Sequence, residues 1–170
     1  MSTIRMMHYD PRWPQEFEQT KSGVLQSCQG DVIEVQHIGS TAIPGLIAQP
    51  IVDVVAAAAG PAAIASAALA LQGLSFRELP RPAWAGESLL FAKPRHGEIT
   101  HQLLLTFRDS AAWQRVLAVR DALRDDRERA LHFEEFKVRH WQAGEGQAEQ
   151  YERDKSLFFS HLEEQLGIGF

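Results

Sequence analysis

The sequence predicts an α/β (α+β) fold, in which helices flank a mixed sheet and the C-terminal part is helical. Residues 32–36 alternate apolar and polar side chains, and residues 50–55 form a short β-branched run, so both segments are expected to be strands. After residue 107 the apolar residues recur at helical spacing. A length of 170 residues suits a single domain over residues 1–170.

The first half of the chain is expected to alternate helices and strands. Pro14 suits the first turn of a helix, and Gly30 follows its end. Gly60 and Pro61 precede a second helix, and Gly73 ends it. The predicted order is a helix from 14, a strand over 32–36, a loop, a strand over 50–55, a helix over 61–73 and a short strand over 74–78.

The second half is expected to begin with a β-hairpin and to continue as helices. Two strand-forming segments are joined through Pro94 and Gly97, and Asp109 or Ser110 can cap the helix that follows. The predicted order is strands over 88–93 and 99–107, then helices over 111–124, 126–141 and 148–166.

The composition excludes several classes of protein. A net charge of −5 and a pI near 5.8 argue against a nucleic-acid partner. Cys28 is the only cysteine, which excludes an intrachain disulfide and a cysteine-based metal site. The apolar stretch 51–71 has nearly the length of a membrane span, but Asp53, Gly60 and Pro61 interrupt it. We therefore expect no membrane partner and a cytoplasmic location, and the oligomeric state stays open.

The segment between the first two strands contains residues suited to binding an anion and a metal ion. A glycine followed by a serine lets backbone N–H groups and a hydroxyl approach an anion closely, which suits Gly39 and Ser40. Asp53 follows on the next strand, where its carboxylate can hold a divalent metal beside that anion. His37 shares a face with apolar residues, so a buried structural histidine is the alternative to a ligand role.

Three cations lie on apolar helix faces near the end of the chain. Arg120, Lys137 and Lys155 each fall within a stripe of apolar residues at spacings of three and four. An unpaired buried cation costs several kcal/mol, so each side chain should reach water, an acid of the protein or a ligand phosphate.

The segment from His37 to Asp53 resembles the GrpB family, a branch of the nucleotidyltransferase superfamily. That family has the pattern His-x-Gly-Ser-Thr-x-x-Pro-Gly-Leu-x-x-Lys-Pro-x-x-Asp-Ile. The chain keeps His37, Gly39, Ser40, Thr41, Pro44, Gly45, Leu46, Pro50 and Asp53. It departs at Gln49 and Val54. The three C-terminal cations also match, although some aromatic positions around them differ, so the resemblance extends over residues 9–162.

The resemblance implies a nucleotide or another phosphorylated small molecule as ligand, with magnesium as cofactor. Asp53 would hold the metal. The residues that bind phosphate or ligand would be Gly39, Ser40, Thr41, Arg120, Lys137 and Lys155. The superfamily's second acid would lie two residues after Asp53, where this chain has Val55, and His101 on the hairpin is the substitute catalytic candidate. We expect Asp53, Gly39, Ser40 and His101 to line one cleft.

Two functions follow from this site. The first is nucleotide binding with magnesium-dependent nucleotidyl transfer. The second is a non-catalytic nucleotide-sensing or regulatory module, which the absence of a second acid at Val55 favours because a two-metal clamp needs shared carboxylates. A zinc site built from His37, His96, Glu98 and His101 has no common zinc-binding spacing and is disfavoured.

Overall fold

Five strands form one mixed sheet in the computed structural model, which describes residues 4–81, 83–143 and 163. The strands are β1 Val32–Ile38, β2 Val52–Ala58, β3 Arg77–Leu79, β4 Leu89–Lys93 and β5 His101–Thr106. Their order across the sheet is β1-β2-β5-β4-β3, so β1 and β3 lie at the two edges. β2 and β5 are parallel, and the other neighbouring pairs are antiparallel.

Helices cover both faces of this sheet. The described helices are α1 Trp13–Ser27, α2 Pro61–Gly73, α3 Ala111–Asp125 and α4 Arg127–Ala143. The larger core joins α1 and α2 to one face, which includes Val54 and Leu103, while α3 places Trp113 against the other face at Val55. α4 packs Phe133 against α3 and the loop that precedes β2. The predicted α/β architecture with a helical C-terminal part is confirmed.

Several element boundaries differ from the predictions for local reasons. Leu74 and Ser75 continue the turn after α2, so the strand expected over 74–78 begins only at Arg77. Ser110 is the cap of α3, since its hydroxyl accepts a hydrogen bond of 3.0 Å from Trp113 N–H. The helix expected over 148–166 falls outside the described residues, except for Glu163, which is helical and buried.

The long apolar stretch after the loop divides between two elements. Residues 51–71 comprise β2 and most of α2. Among the described helices, none has the length and apolar character needed to cross a bilayer.

Candidate functional site

The glycine-serine turn lies directly against the strand acid. Gly39 follows β1 with a φ of 73°, a conformation that favours glycine, and Ser40–Ala42 then form one 3-10 turn. A Cβ atom at Gly39 would lie 2.5 Å from Asp53 Oδ2. This close approach is available only to a residue without a side chain, and it joins the two parts of the predicted motif.

Asp53 is the one carboxylate that its own and the adjacent strands bring to this point. Its neighbours across the sheet are Ile38 on β1 and Gln102 on β5. Val55, the next residue of β2 on the same face, is fully buried against α3. Among the residues described by the structure, no three histidine, cysteine, aspartate or glutamate side chains form a group that could hold a metal. Asp53 fits magnesium only when phosphate oxygens supply further ligands.

His101 lies on the opposite face of the sheet from Asp53, so the prediction that both line one cleft is wrong. In the parallel pairing of β2 and β5, His101 is opposite Val52, whereas Asp53 is opposite Gln102. Alternate residues of a strand point to opposite faces, so His101 lies on the face covered by α1 and α2. There its Nδ1 is 2.8 Å from Thr100 Oγ1, and burial together with Lys93 lowers its pKa to about 4.

Arg120 points inward, as predicted, but it contacts protein atoms. Its side chain is only 10% exposed, and Nη1 donates to Gln36 Oε1 at 2.9 Å and to the His37 carbonyl at 3.1 Å. Nη2 forms an ion pair of 2.8 Å with Asp121. Arg120 therefore holds α3 against the end of β1 next to Gly39.

Lys137 also points inward and is 1% exposed. Its Nζ donates to the Ile47 carbonyl and lies 4.7 Å from the centre of the Phe133 ring. One turn earlier on α4, Glu134 Oε1 accepts a hydrogen bond of 2.8 Å from Ile47 N–H. Two side chains of one helix thus bind both polar groups of a single residue in the loop. The third predicted cation, Lys155, lies outside the described residues.

His37 and Thr41 form a buried pair beneath the turn. Thr41 Oγ1 donates to the Ile51 carbonyl at 3.2 Å and lies 2.9 Å from His37 Nε2. The ring stacks on Phe17 with centroids 4.9 Å apart. Burial, followed by the charges of Arg124 and Arg120, lowers the pKa of His37 to about 4. The structure supports the structural alternative for His37, and the Thr41 hydroxyl is used within the protein.

Sequence reasoning missed two residues near the turn. Arg124 donates from Nε to the Ala42 carbonyl at 2.9 Å, and Glu134 binds Ile47 N–H as described above. Arg124 follows Arg120 by four residues, a spacing that places both on one helix face and that could have revealed it. Both arginines line an open cleft beside β1.

The fold and this site together define an α/β protein in which a glycine-serine turn contacts a strand carboxylate across a single glycine. The family model described as GrpB protein matches residues 3–165, and the chain therefore belongs to the GrpB family.

The chain is similar to several known proteins. A UPF0157 protein of Halalkalibacterium halodurans is 38% identical over 53 residues, which cover 31% of this chain and 27% of that protein. A UPF0157 protein of Streptomyces coelicolor is 45% identical over 56 residues, covering 33% of this chain and 30% of that protein. The crystal structure of conserved protein GrpB from Enterococcus faecalis superimposes with a TM-score of 0.83 over 95% of this chain and 96% of that chain. At 23% identity, that match shows a shared fold.

Proposed function

We propose that the chain binds a nucleotide or another phosphorylated small molecule at the turn formed by Gly39 and Ser40, beside Asp53. The observation that carries the proposal is the contact between Gly39 and the Asp53 carboxylate at the end of the sheet. Gly39 is exposed and Ser40 is half-buried, so a ligand can approach the turn. A carboxylate placed against an exposed glycine-serine turn suits a phosphate that shares a metal ion with that carboxylate.

Two inward-pointing cations bind backbone carbonyl groups on either side of the turn. Arg120 donates to the His37 carbonyl before the turn, and Lys137 donates to the Ile47 carbonyl after it. In this proposal both cations position the loop, and their charge lowers the cost of bringing a phosphate to it. Magnesium, when bound, would neutralise phosphate charge, and Asp53 is the described residue that would hold it.

Calorimetric titration of ATP into the wild type and Asp53→Asn, with and without magnesium, tests this proposal. We expect ATP binding to weaken about tenfold or more in Asp53→Asn with magnesium, and to differ little without it. Asp109→Asn, an exposed acid before α3, is the matched control and should bind as the wild type does. Equal binding by Asp53→Asn in magnesium, with a lowered melting temperature, would assign Asp53 a structural role instead.

A non-catalytic sensing or regulatory module is the second candidate. The observation that favours it is the absence of a second acid at the strand positions beside Asp53, where Val55 is buried on β2 and Gln102 lies on β5. A single carboxylate cannot provide the shared ligands of a two-metal transfer reaction. Incubation with α-labelled ATP, magnesium and a cell extract that supplies possible acceptors distinguishes the candidates. Binding without labelled product supports the sensing module, whereas labelled product that disappears in Asp53→Asn supports nucleotidyl transfer.

A further inference from the structure

A cleft with a volume of about 380 Å³ runs along the outer edge of the sheet, on the side of β1 away from Asp53 and β2. α1 forms one wall with Pro14 and Phe17, and α3 forms the other with Arg120 and Arg124. The rest of the lining includes Thr41, Ala42 and Pro44 from the turn and Val35, Gln36 and His37 from β1. Neither Gly39, Ser40 nor Asp53 lines this cleft.

The cleft carries an excess of positive charge. Among the described residues that line it are Lys21, Arg120 and Arg124, against a single acid, Glu18. Arg120 is already bound to Asp121, Gln36 and the His37 carbonyl. Arg124 uses Nε for the Ala42 carbonyl, and within the described part of the chain it forms no ion pair within 4.0 Å. Its terminal guanidinium nitrogens therefore remain available to a ligand.

Arg124 is an exposed side chain, and the neighbouring charge of Arg120 repels it. Partial burial, followed by the charge of Arg120, lowers the pKa of Arg124 even though Asp121 and Asp125 act in the opposite direction. A guanidinium offers five N–H donors in a planar fork that matches a carboxylate or a phosphate. An anion in the cleft would pair with Arg124 and relieve its repulsion with Arg120.

The cleft also offers a ring nitrogen that can hydrogen-bond to a ligand. The contact of His37 with Thr41 uses Nε2, and no described residue hydrogen-bonds to Nδ1. His37 is 5% exposed and is one of the residues that line the cleft. A buried ring nitrogen of this kind favours a ligand with a hydroxyl or amino group near its anionic group.

We infer that the cleft binds a small organic anion, in which a carboxylate or phosphate pairs with Arg124 and a neighbouring hydroxyl or amino group faces His37. A volume of about 380 Å³ is near the lower end for small-molecule sites, which favours a compact metabolite. This inference does not depend on the proposed phosphate site, because neither Gly39, Ser40 nor Asp53 lines the cleft.

Calorimetric titrations at low salt test the inference with four probes: lactate, propionate, glycerol 3-phosphate and inorganic phosphate. We expect lactate or glycerol 3-phosphate to bind the wild type saturably, with a dissociation constant below about 10 mM. Preference for lactate identifies a carboxylate ligand, and preference for glycerol 3-phosphate identifies a phosphate ligand. Propionate lacks the hydroxyl group, and inorganic phosphate lacks the carbon chain that would bear one. Both should bind more weakly.

Arg124→Gln should weaken the preferred probe about tenfold or more, while Arg127→Gln, an exposed arginine at the start of α4, should have no effect. If Arg124→Gln does not fold, Arg124→Lys is the second variant, which keeps the charge and loses the planar fork. Amide chemical shifts of the wild type provide an independent readout. Binding of the probe should change the amide shifts of Phe17 and Ala42.

Two results would overturn the inference. One is the absence of saturable binding for all four probes up to about 10 mM, and the other is unchanged affinity in the arginine variant. Asp53→Asn should leave binding of these probes, titrated without magnesium, unchanged. Failure of the edge cleft and failure of the Asp53 site would therefore be seen in different variants with different ligands.

Discussion

Gly39 both forms the turn after β1 and lies against the carboxylate of Asp53. Its φ of 73° already disfavours any side chain, and its Cα faces the Asp53 carboxylate. Gly45 lies in the same loop with a φ of 80°, yet a Cβ there would meet nothing within 4 Å. Both glycines therefore have a positive φ that disfavours other residues. Only at Gly39 would a Cβ atom also collide with a neighbouring side chain.

Gly39→Ala should lower the free energy of unfolding more than Gly45→Ala does. Both substitutions introduce strain of about 1 kcal/mol or more from the positive φ, and Gly39→Ala also displaces Asp53. Urea denaturation of the two variants measures the difference, in which the shared backbone strain largely cancels. Equal losses in the two variants would mean that the Asp53 carboxylate moves aside without cost.

At the scale of the element, α4 fixes the loop that connects β1 to β2. Glu134 and Lys137 bind the N–H and carbonyl groups of Ile47 from one helix face. On the other side of the loop, Met7 and Ala48 exchange backbone hydrogen bonds of 2.9 and 3.0 Å. The loop is therefore held from both sides by segments distant in sequence, which explains how a connection rich in glycine and proline can keep a defined shape.

Glu134→Ala should destabilise the protein by about 1 kcal/mol, because it removes the hydrogen bond to Ile47 N–H. Glu135→Ala is the matched control, since Glu135 is exposed on the same helix. It should change the free energy of unfolding by no more than about 0.5 kcal/mol. Chemical denaturation of the two variants gives the comparison, and a larger loss in Glu135→Ala would contradict this account of α4.

At the scale of the whole molecule, two partly or fully buried histidines make stability depend on pH. The pKa values of His37 and His101 are both lowered to about 4 by burial, with contributions from nearby arginines at His37 and from Lys93 at His101. Their ordinary value is 6.5, so between pH 6.5 and 4 the unfolded chain binds protons that the folded chain does not. The stability that depends on these two neutral histidines is therefore fully present above pH 6.5, and it is lost as the pH falls toward 4.

For His37 alone this loss is on the order of 3 kcal/mol. His37→Gln should therefore show a shallower decline in the free energy of unfolding between pH 7.5 and pH 4.5 than the wild type. Urea denaturation at both values measures the decline, and the comparison with the variant removes the common contribution of the carboxylates. Parallel declines in the two proteins would show that His37 titrates near its ordinary pKa.

Features that depend on a local residue pattern could be predicted before the fold was known. Alternation and β-branching located β1 and β2, and helical spacing of the apolar residues predicted that Arg120 and Lys137 point inward. The motif from His37 to Asp53 predicted that a glycine-serine turn and an acid are neighbours, which the contact at Gly39 shows. These features rest on periods of two and 3.6 residues, which are visible in a single segment.

Which residues from distant segments share a face depends on the packing of the whole fold. The phase of β5 relative to β2 placed Gln102, and not His101, beside Asp53, and a shift of one residue in this register would have reversed that result. The edge cleft depends on α1 and α3 meeting at β1, which no local pattern specifies. The physical reason is that strand register and helix placement are set by how all the apolar surfaces pack at once, whereas periodicity reports only the face each segment can bury.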